Sequence, residues 1–308
     1  MRVLITGGTG LVGARLIQRL EKRQDKVDLL TRRPAAARER FGPTVNVVEG
    51  DPTKPGPWME AAAECDAVVN LAGENLFARR WNDDFKKLIR DSRVQATANV
   101  AQALAKAPRR SDGTPRVLVN ASAIGIYGPH GDEELTEESA PGNDFLSSVC
   151  VDWEAAVKPA EAAGARVALI RIGIVLDKLG GALAQFLMPF KLGAGGPVAS
   201  GRQWMSWIHH EDLVGLFLLA LDNPAAAGPI NGVSPKPVTN KEFAKALGRA
   251  LHRPAFLPLP GFVLRLRIGA AAEVVVSGQR VLPKRAFALD YAFKFPTIGA
   301  ALVDAVAG

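Results

Sequence analysis

The sequence predicts an α/β fold: a parallel sheet covered by helices on both faces, with a smaller C-terminal lobe. Three observations carry this. The chain opens on a short apolar run, Arg2 to Thr6, followed at once by Gly7, Gly8, Gly10 and Gly13 and then by a helix-forming stretch, Ala14 to Arg23. Short apolar runs then alternate with helical segments through the first half, the pattern of a sheet buried on both sides. From about Asn231 onward that rhythm gives way to prolines, among them Pro235, Pro237, Pro254, Pro258, Pro260, Pro283 and Pro296.

Taken in order, Arg2 to Thr6 is the first strand and Val27 to Thr31 the second. Val45 to Glu49 is the third, Ala67 to Leu71 the fourth, Arg116 to Ser122 the fifth and Val167 to Ile170 the sixth. Trp81 to Lys106 has the length and periodicity of a helix, as does Asp212 to Leu221. The segment around Gly180-Gly181, Gly193 to Pro197 and Gly201 is looser. The expected organisation is a Rossmann-type, doubly wound nucleotide-binding domain over 1–177 with about 205–232. A smaller substrate lobe over 178–204 and 233–308 completes it. No internal repeat or low-complexity tract interrupts the chain.

A strand, a glycine turn and a helix make half of a dinucleotide-binding βαβ unit. Gly7 and Gly8 permit the tight turn, Gly10 lets the backbone approach a pyrophosphate, and Gly13 lets helix and strand pack closely. The helix N-terminus then offers N–H donors and a positive dipole to the phosphates. The second strand bears on which nucleotide. A site selecting NAD carries Asp or Glu at its end for the ribose 2′-hydroxyl, whereas this chain reads Thr31-Arg32-Arg33-Pro34. Arginine grips a 2′-phosphate that a carboxylate would repel, so the expected cofactor is NADP(H). The competing reading makes Arg32 and Arg33 solvated loop charges.

The chain has 308 residues, 48% hydrophobic and 22% charged, enough for one large domain or a domain plus a lobe. Its two cysteines, Cys65 and Cys150, make no disulfide framework and suit a reducing cytoplasm. A strand beginning at residue 2 leaves no room for a signal peptide, and no apolar run reaches the roughly eighteen residues a membrane span needs. The net charge of +7 is dispersed over sites such as Arg32-Arg33, Arg79-Arg80 and Lys284-Arg285, with no nucleic-acid-binding signature. A solvated surface that attracts an anionic cofactor accounts for it. The expected partners are a small-molecule substrate and a second copy of the chain in a homodimer, with no nucleic acid and no membrane.

TGGTGLVG at Thr6 to Gly13, NLAG at Asn70 to Gly73, NASAIGIYG at Asn120 to Gly128 and SWIHHEDLV at Ser206 to Val214 span most of the chain. In type and order they resemble the landmarks of the extended, epimerase-like branch of the short-chain dehydrogenase/reductase superfamily. Arg280 to Leu302 is similar to the C-terminal region of its atypical epimerase/dehydratase-like subgroup, some of whose members are described as cell-division inhibitors. The resemblance implies a cofactor site made of Gly7, Thr9, Gly10, Leu11, Val12 and Gly13 at the pyrophosphate, with Arg32 and Arg33 at the 2′-phosphate. Asp51 would meet the adenine, Leu71, Ala72 and Gly73 the ribose side, and Ser122 would be the catalytic serine.

Typical members of that superfamily also use a Tyr and a Lys four residues later, the ammonium lowering the phenol's pKa for proton exchange. This chain has two tyrosines, and neither qualifies: Tyr127 is followed by Gly131 and Tyr291 by Phe295. Placing the motif by the helix that ends in Trp153-Glu154 puts Leu146 at the Tyr position and Cys150 at the Lys position, with Arg93 replacing an Asn. Three readings follow. In the first, an oxidoreductase or epimerase has reassigned its roles: Ser122 polarises a carbonyl, Arg93 stabilises an alkoxide, and Cys150 or Tyr127 moves protons. In the second, the protein is a cofactor-bound sensor with no chemistry. In the third, Cys150 is a buried small hydrophobe.

His209-His210-Glu211-Asp212 reads as a helix start with acids at the dipole's positive end, and no metal site is expected there. His209 is a substrate-side candidate, as are Gln203 and Trp204, which otherwise cover the sheet edge. The acids Asp132, Glu133, Glu134, Glu137 and Glu138 form a solvated loop.

Overall fold

The computed structural model describes residues 1–108, 110 and 112–307. Seven parallel strands make the main sheet: β1 (Arg2–Thr6), β2 (Lys26–Thr31), β3 (Val45–Glu49), β4 (Ala67–Asn70), β5 (Val117–Ala123), β6 (Arg166–Ile172) and β7 (Gly228–Gly232). Their spatial order is β7-β6-β5-β4-β1-β2-β3. The order reverses between β1 and β4, and that switch point opens a crevice beyond the strand C-termini. The six expected strands are present. The seventh, GPING in sequence, has one long aliphatic residue, Ile230, and gives no strand signal by itself; it forms because β6 offers its edge.

Alternation in the strands sorts side chains onto two cores. Val3 and Ile5 face one side with Leu16, Ile17 and Leu20 of α1 (Leu11–Lys22) and Leu213, Leu216 and Phe217 of α8 (His210–Asp222). Leu4, Val68 and Leu118 face the other with Val100, Ala101 and Leu104 of α4 (Asp83–Lys106). Helix α1 begins three residues before the expected Ala14, because Gly10 serves as its N-cap. Helix α4 begins two residues after Trp81, where the Asn82 side chain accepts the Phe85 N–H at 2.9 Å.

A third core lies in the C-terminal part, where Leu183, Leu187, Phe190, Trp207, Phe243, Leu247, Phe295 and Leu302 pack together. Buried Asp212 joins this part to the sheet side. At the start of α8 its carboxylate accepts the Lys294 N–H at 2.7 Å and the Phe295 N–H at 2.9 Å. The segment expected to be loose contains α7 (Gly181–Lys191), and the strands on either side of it, Ile174–Leu176 and Trp207–His209, pair in parallel.

Polar groups tie the strand ends together under the crevice. Thr6 Oγ1 donates to Asn70 Oδ1 at 2.5 Å and accepts the N–H groups of Leu71 and Ala72, both at 3.2 Å. Asn70 Nδ2 donates to Asn120 Oδ1 at 2.6 Å and to Thr97 Oγ1 at 2.8 Å, and Trp153 Nε1 also reaches Thr97 Oγ1 at 2.8 Å. Thr6, Asn70, Thr97 and Asn120 are fully buried. Replacing Asn70 by Ala leaves several of these groups unsatisfied, so urea unfolding is expected to lose about 1–3 kcal/mol. An unchanged midpoint would show that the network contributes nothing to stability.

Candidate active site

Gly7 takes φ +65°, and a Cβ there would lie 2.5 Å from Leu71 O, so the turn requires glycine. A Cβ at Gly13 would lie 2.5 Å from Gly8 Cα, and one at Gly10 would lie 3.2 Å from Gly7 O. Helix α1 has no side-chain cap and no acid in its first turn. Its first amides, on Leu11, Val12 and Gly13, therefore face the crevice without a competing anion. Bare backbone, free amides and a positive helix end fit a pyrophosphate. The loop Leu71-Ala72-Gly73 lies against this turn, held there by Thr6.

Arg32 and Arg33 are exposed past the end of β2, Arg33 as the N-cap of α2 (Pro34–Phe41). Asp51 is half-buried. Burial pushes its carboxyl up, but hydrogen bonds from Thr53 and the charges of Arg32 and Lys54 outweigh that and hold it below the usual range. Arg40 reaches back from the last turn of α2 to donate to the carbonyl of exposed Thr9 at 2.7 Å. No linear pattern announces Arg40, since only the fold of α2 brings it to the glycine loop.

A cavity of about 670 Å³ runs from the glycine turn past the end of β5 to the stretch from Ala270 to Gln279. Leu11, Val12, Ser122, Arg93, Cys150 and Trp204 are in its wall, so the fold brings these sequence-derived candidates together in one cavity. The Ser122 hydroxyl donates to Glu154 Oε1 at 2.6 Å, from the end of α5 (Phe145–Ala155). Arg171 on β6 clamps Glu154 with two bonds of 2.9 Å. Burial works against the Arg171 charge, but Glu154 overcomes it and raises the guanidinium's pKa above its ordinary value. The sequence reading uses Glu154 as the landmark of a helix end and stops its sixth strand one residue short of Arg171. Neither was assigned to the site, because serine and carboxylate come from different elements.

Three expectations need correction. Tyr127 is fully buried away from the cavity: its hydroxyl donates to Asn231 Oδ1 at 2.7 Å and accepts from Arg171 at 2.9 Å. Burial raises its pKa further, so it is a structural phenol and no proton carrier. His209 is also fully buried. Its Nδ1 accepts the Glu211 N–H at 3.2 Å, its ring stacks on Phe295, and Nε2 points to Asp304 at 3.2 Å. It caps α8 and does not line the cavity. Gln203 spends its amide on the carbonyls of Val198 at 3.0 Å and Val275 at 3.3 Å, bracing the lobe rather than lining the cavity.

Cys150 is buried, and burial with the nearby Glu154 charge pushes its thiol up to about 12. That direction disfavours a thiolate and fits the reading in which Cys150 is a buried wall of the cavity. Arg93 donates to the carbonyls of Ile89 at 3.0 Å and Glu74 at 2.9 Å, and its guanidinium stacks 5.3 Å from the Trp153 ring centroid. Trp204 Nε1 is held by Asp132 at 2.7 Å. Among the described residues no group of three His, Cys, Asp or Glu could hold a metal. Nor is any helix long and apolar enough to cross a membrane.

The model of the NAD-dependent epimerase/dehydratase family matches residues 3–232, the stretch that holds the main sheet and the glycine turn. The chain belongs to this family. A second model, of a domain of unknown function called DUF1731, matches residues 259–305. The epimerase family protein SDR39U1 of Bos taurus is 41% identical, with all of both chains covered. The chloroplastic homologue of Arabidopsis thaliana is 42% identical over 98% of this chain and 86% of its own. The crystal structure of human SDR39U1 (isoform 2) with NADPH superposes with a TM-score of 0.88 at 39% identity, covering 100% of this chain and 99% of that one. A nucleoside-diphosphate sugar epimerase of Corynebacterium glutamicum gives 0.77 at 34% identity, over 98% of this chain and 57% of that one. The fold is that of the short-chain dehydrogenases/reductases.

Burial holds neutral His209 to a pKa of about 4 against an ordinary 6.5, with His210 adding to the effect. The unfolded chain therefore takes up a proton first as pH falls. Stability is full above about 6.5 and declines towards 4. His209→Gln is expected to lose less stability between pH 7 and pH 5 than the parent in denaturant titrations; parallel losses would discount the histidine.

Proposed function

We propose that the protein binds NADP(H) in the crevice between β1 and β4 and carries out oxidation–reduction or epimerisation of a small hydroxyl- or carbonyl-bearing compound. The observation that carries this reading is the Ser122 hydroxyl in the cavity wall, bonded to a carboxylate that Arg171 keeps in place. The open amides of α1, the arginines beyond β2 and the NADPH in the human relative's crystal structure support the choice of cofactor. We further assign the substrate-facing wall to a lobe made of 178–204 and 233–308, and place the protein in the cytoplasm, where two free, buried cysteines stay reduced.

When bound, the cofactor supplies a hydride donor or acceptor at its nicotinamide. The chain's own residues handle the proton. In the oxidative direction a substrate hydroxyl gives its proton to Ser122 Oγ while the serine's own proton passes to Glu154. The Glu154 side chain is 12% exposed, which gives that proton a way to solvent. In the reductive direction the same two protons move back. Arg171 orients the carboxylate and balances its charge, as an ammonium four residues from a tyrosine would do elsewhere.

Equilibrium titration is expected to show tighter binding of NADPH than NADH, and Arg32→Glu should abolish the difference. Turnover of NADPH across a panel of carbonyl compounds should fall roughly 100-fold or more in Ser122→Ala and Glu154→Gln, with NADPH affinity kept. Firm NADPH binding with no turnover of any compound would favour the sensor reading. Lack of affinity for either coenzyme would refute the proposal as a whole.

A further inference from the structure

Among the partly or fully buried arginines of the described residues, Arg93 is the one that lines the cavity. Arg171 has Glu154, and Arg15 has Asp177. Arg166 lies at the far end of its strand and is wrapped by the carbonyls of Ala220, Leu221 and Ala226. Arg93 lines the cavity, and two backbone carbonyls take two of its five N–H donors. Among the described residues no carboxylate lies within 4 Å of it. Burial pulls the guanidinium's pKa below its ordinary value, outweighing the Glu74 charge, which favours the cation from a distance. A desolvated cation with no carboxylate in contact is costly, and the stacking on Trp153 replaces only part of what is lost. The cost is recovered when a ligand brings the missing anion.

The other walls say what carries that anion. Leu76, Trp81, Phe145, Leu146, Trp204 and Val274 present apolar surface to the same cavity, with Lys86 and Asp144 also in its wall. On the lobe side the only ionisable lining group among the described residues is Glu273, whose side chain is exposed beside Arg265. A diphosphate would bring two charged phosphates to a largely apolar wall that also carries the acids Asp144 and Glu273, the latter paired with Arg265 at 3.5 Å. One carboxylate on an apolar body suits this wall better, since a single guanidinium fork matches a carboxylate in shape and charge.

From this geometry we infer that Arg93 receives a carboxylate of the substrate, so that the substrate class is an apolar keto or hydroxy acid rather than a nucleotide sugar. The inference rests on the NADP(H)-dependent reading above and narrows it. The anion is set by Arg93 on α4, and the reacting oxygen lies towards Ser122 on β5.

The test uses the full-length protein loaded with NADPH and measures binding of 2-oxo-4-phenylbutanoate, its ethyl ester and UDP-glucose by isothermal titration calorimetry. The acid is expected to bind at least about tenfold more tightly than the ester, with UDP-glucose weaker than both. Arg93→Gln should bring acid and ester to the same affinity while leaving NADPH affinity unchanged. An acid no tighter than its ester, or UDP-glucose bound most tightly, overturns the inference. So does a loss of NADPH affinity in Arg93→Gln, which would assign the guanidinium to the coenzyme. The acid-to-ester comparison on the parent protein decides the matter even where the variant does not fold. Failure of the parent to bind NADPH would instead strike the underlying functional reading.

Discussion

The site depends on a small buried network that fixes the strand ends where the sheet reverses direction. Asn70 sits at the end of β4 and bonds at once to β1 through Thr6, to β5 through Asn120 and to α4 through Thr97. Trp153 joins α5 to the same hydroxyl. Strands β1, β4 and β5 and helices α4 and α5, all bordering the cavity, are thereby held together by bonds made in a dry interior, where a missing partner is costly. The glycine turn, the loop after β4 and the serine at the end of β5 inherit their relative positions from this knot. Its polar members are tolerated because each finds a partner within it.

Around that frame the polarity of the site is divided in an unusual way. Groups that often carry protons are shut away: the Cys150 thiol is held protonated by burial and the Tyr127 phenol is locked between Arg171 and Asn231. Among the groups left at the cavity wall are a hydroxyl backed by a carboxylate and a guanidinium held by two carbonyls and a tryptophan face. In the proposed reaction the first pairing would move a proton and the second would attract negative charge. Neither needs the tyrosine and lysine whose absence the sequence makes plain.

The fold was legible because its signals are local. A glycine turn between an apolar run and a helix, and short aliphatic strands between amphipathic helices, are written in neighbouring residues. The wall of the cavity was legible in part for the same reason: Ser122, Arg93 and Cys150 stand at fixed distances from recognisable landmarks. Glu154, Arg171 and Arg40 were not assigned, since each acts through a partner 17 to 32 residues away or more, and only the packed sheet supplies that proximity. His209 misled for a related reason. A polar residue beside a landmark reads as functional, whereas here its ring nitrogen completes a helix start and the rest is core. Strand β7 escaped notice because its pairing edge, rather than its composition, makes it a strand.

The bond from Arg40 to the Thr9 carbonyl carries a consequence for redesign. The segment that would ordinarily be exchanged to convert such a protein to the unphosphorylated coenzyme is the one running from Arg32 through α2. That helix also braces the glycine turn from behind. Exchanging the whole segment would remove the brace together with the selectivity, slackening the grip on the pyrophosphate for both coenzymes. Changes confined to Arg32 and Arg33 leave the strut in place.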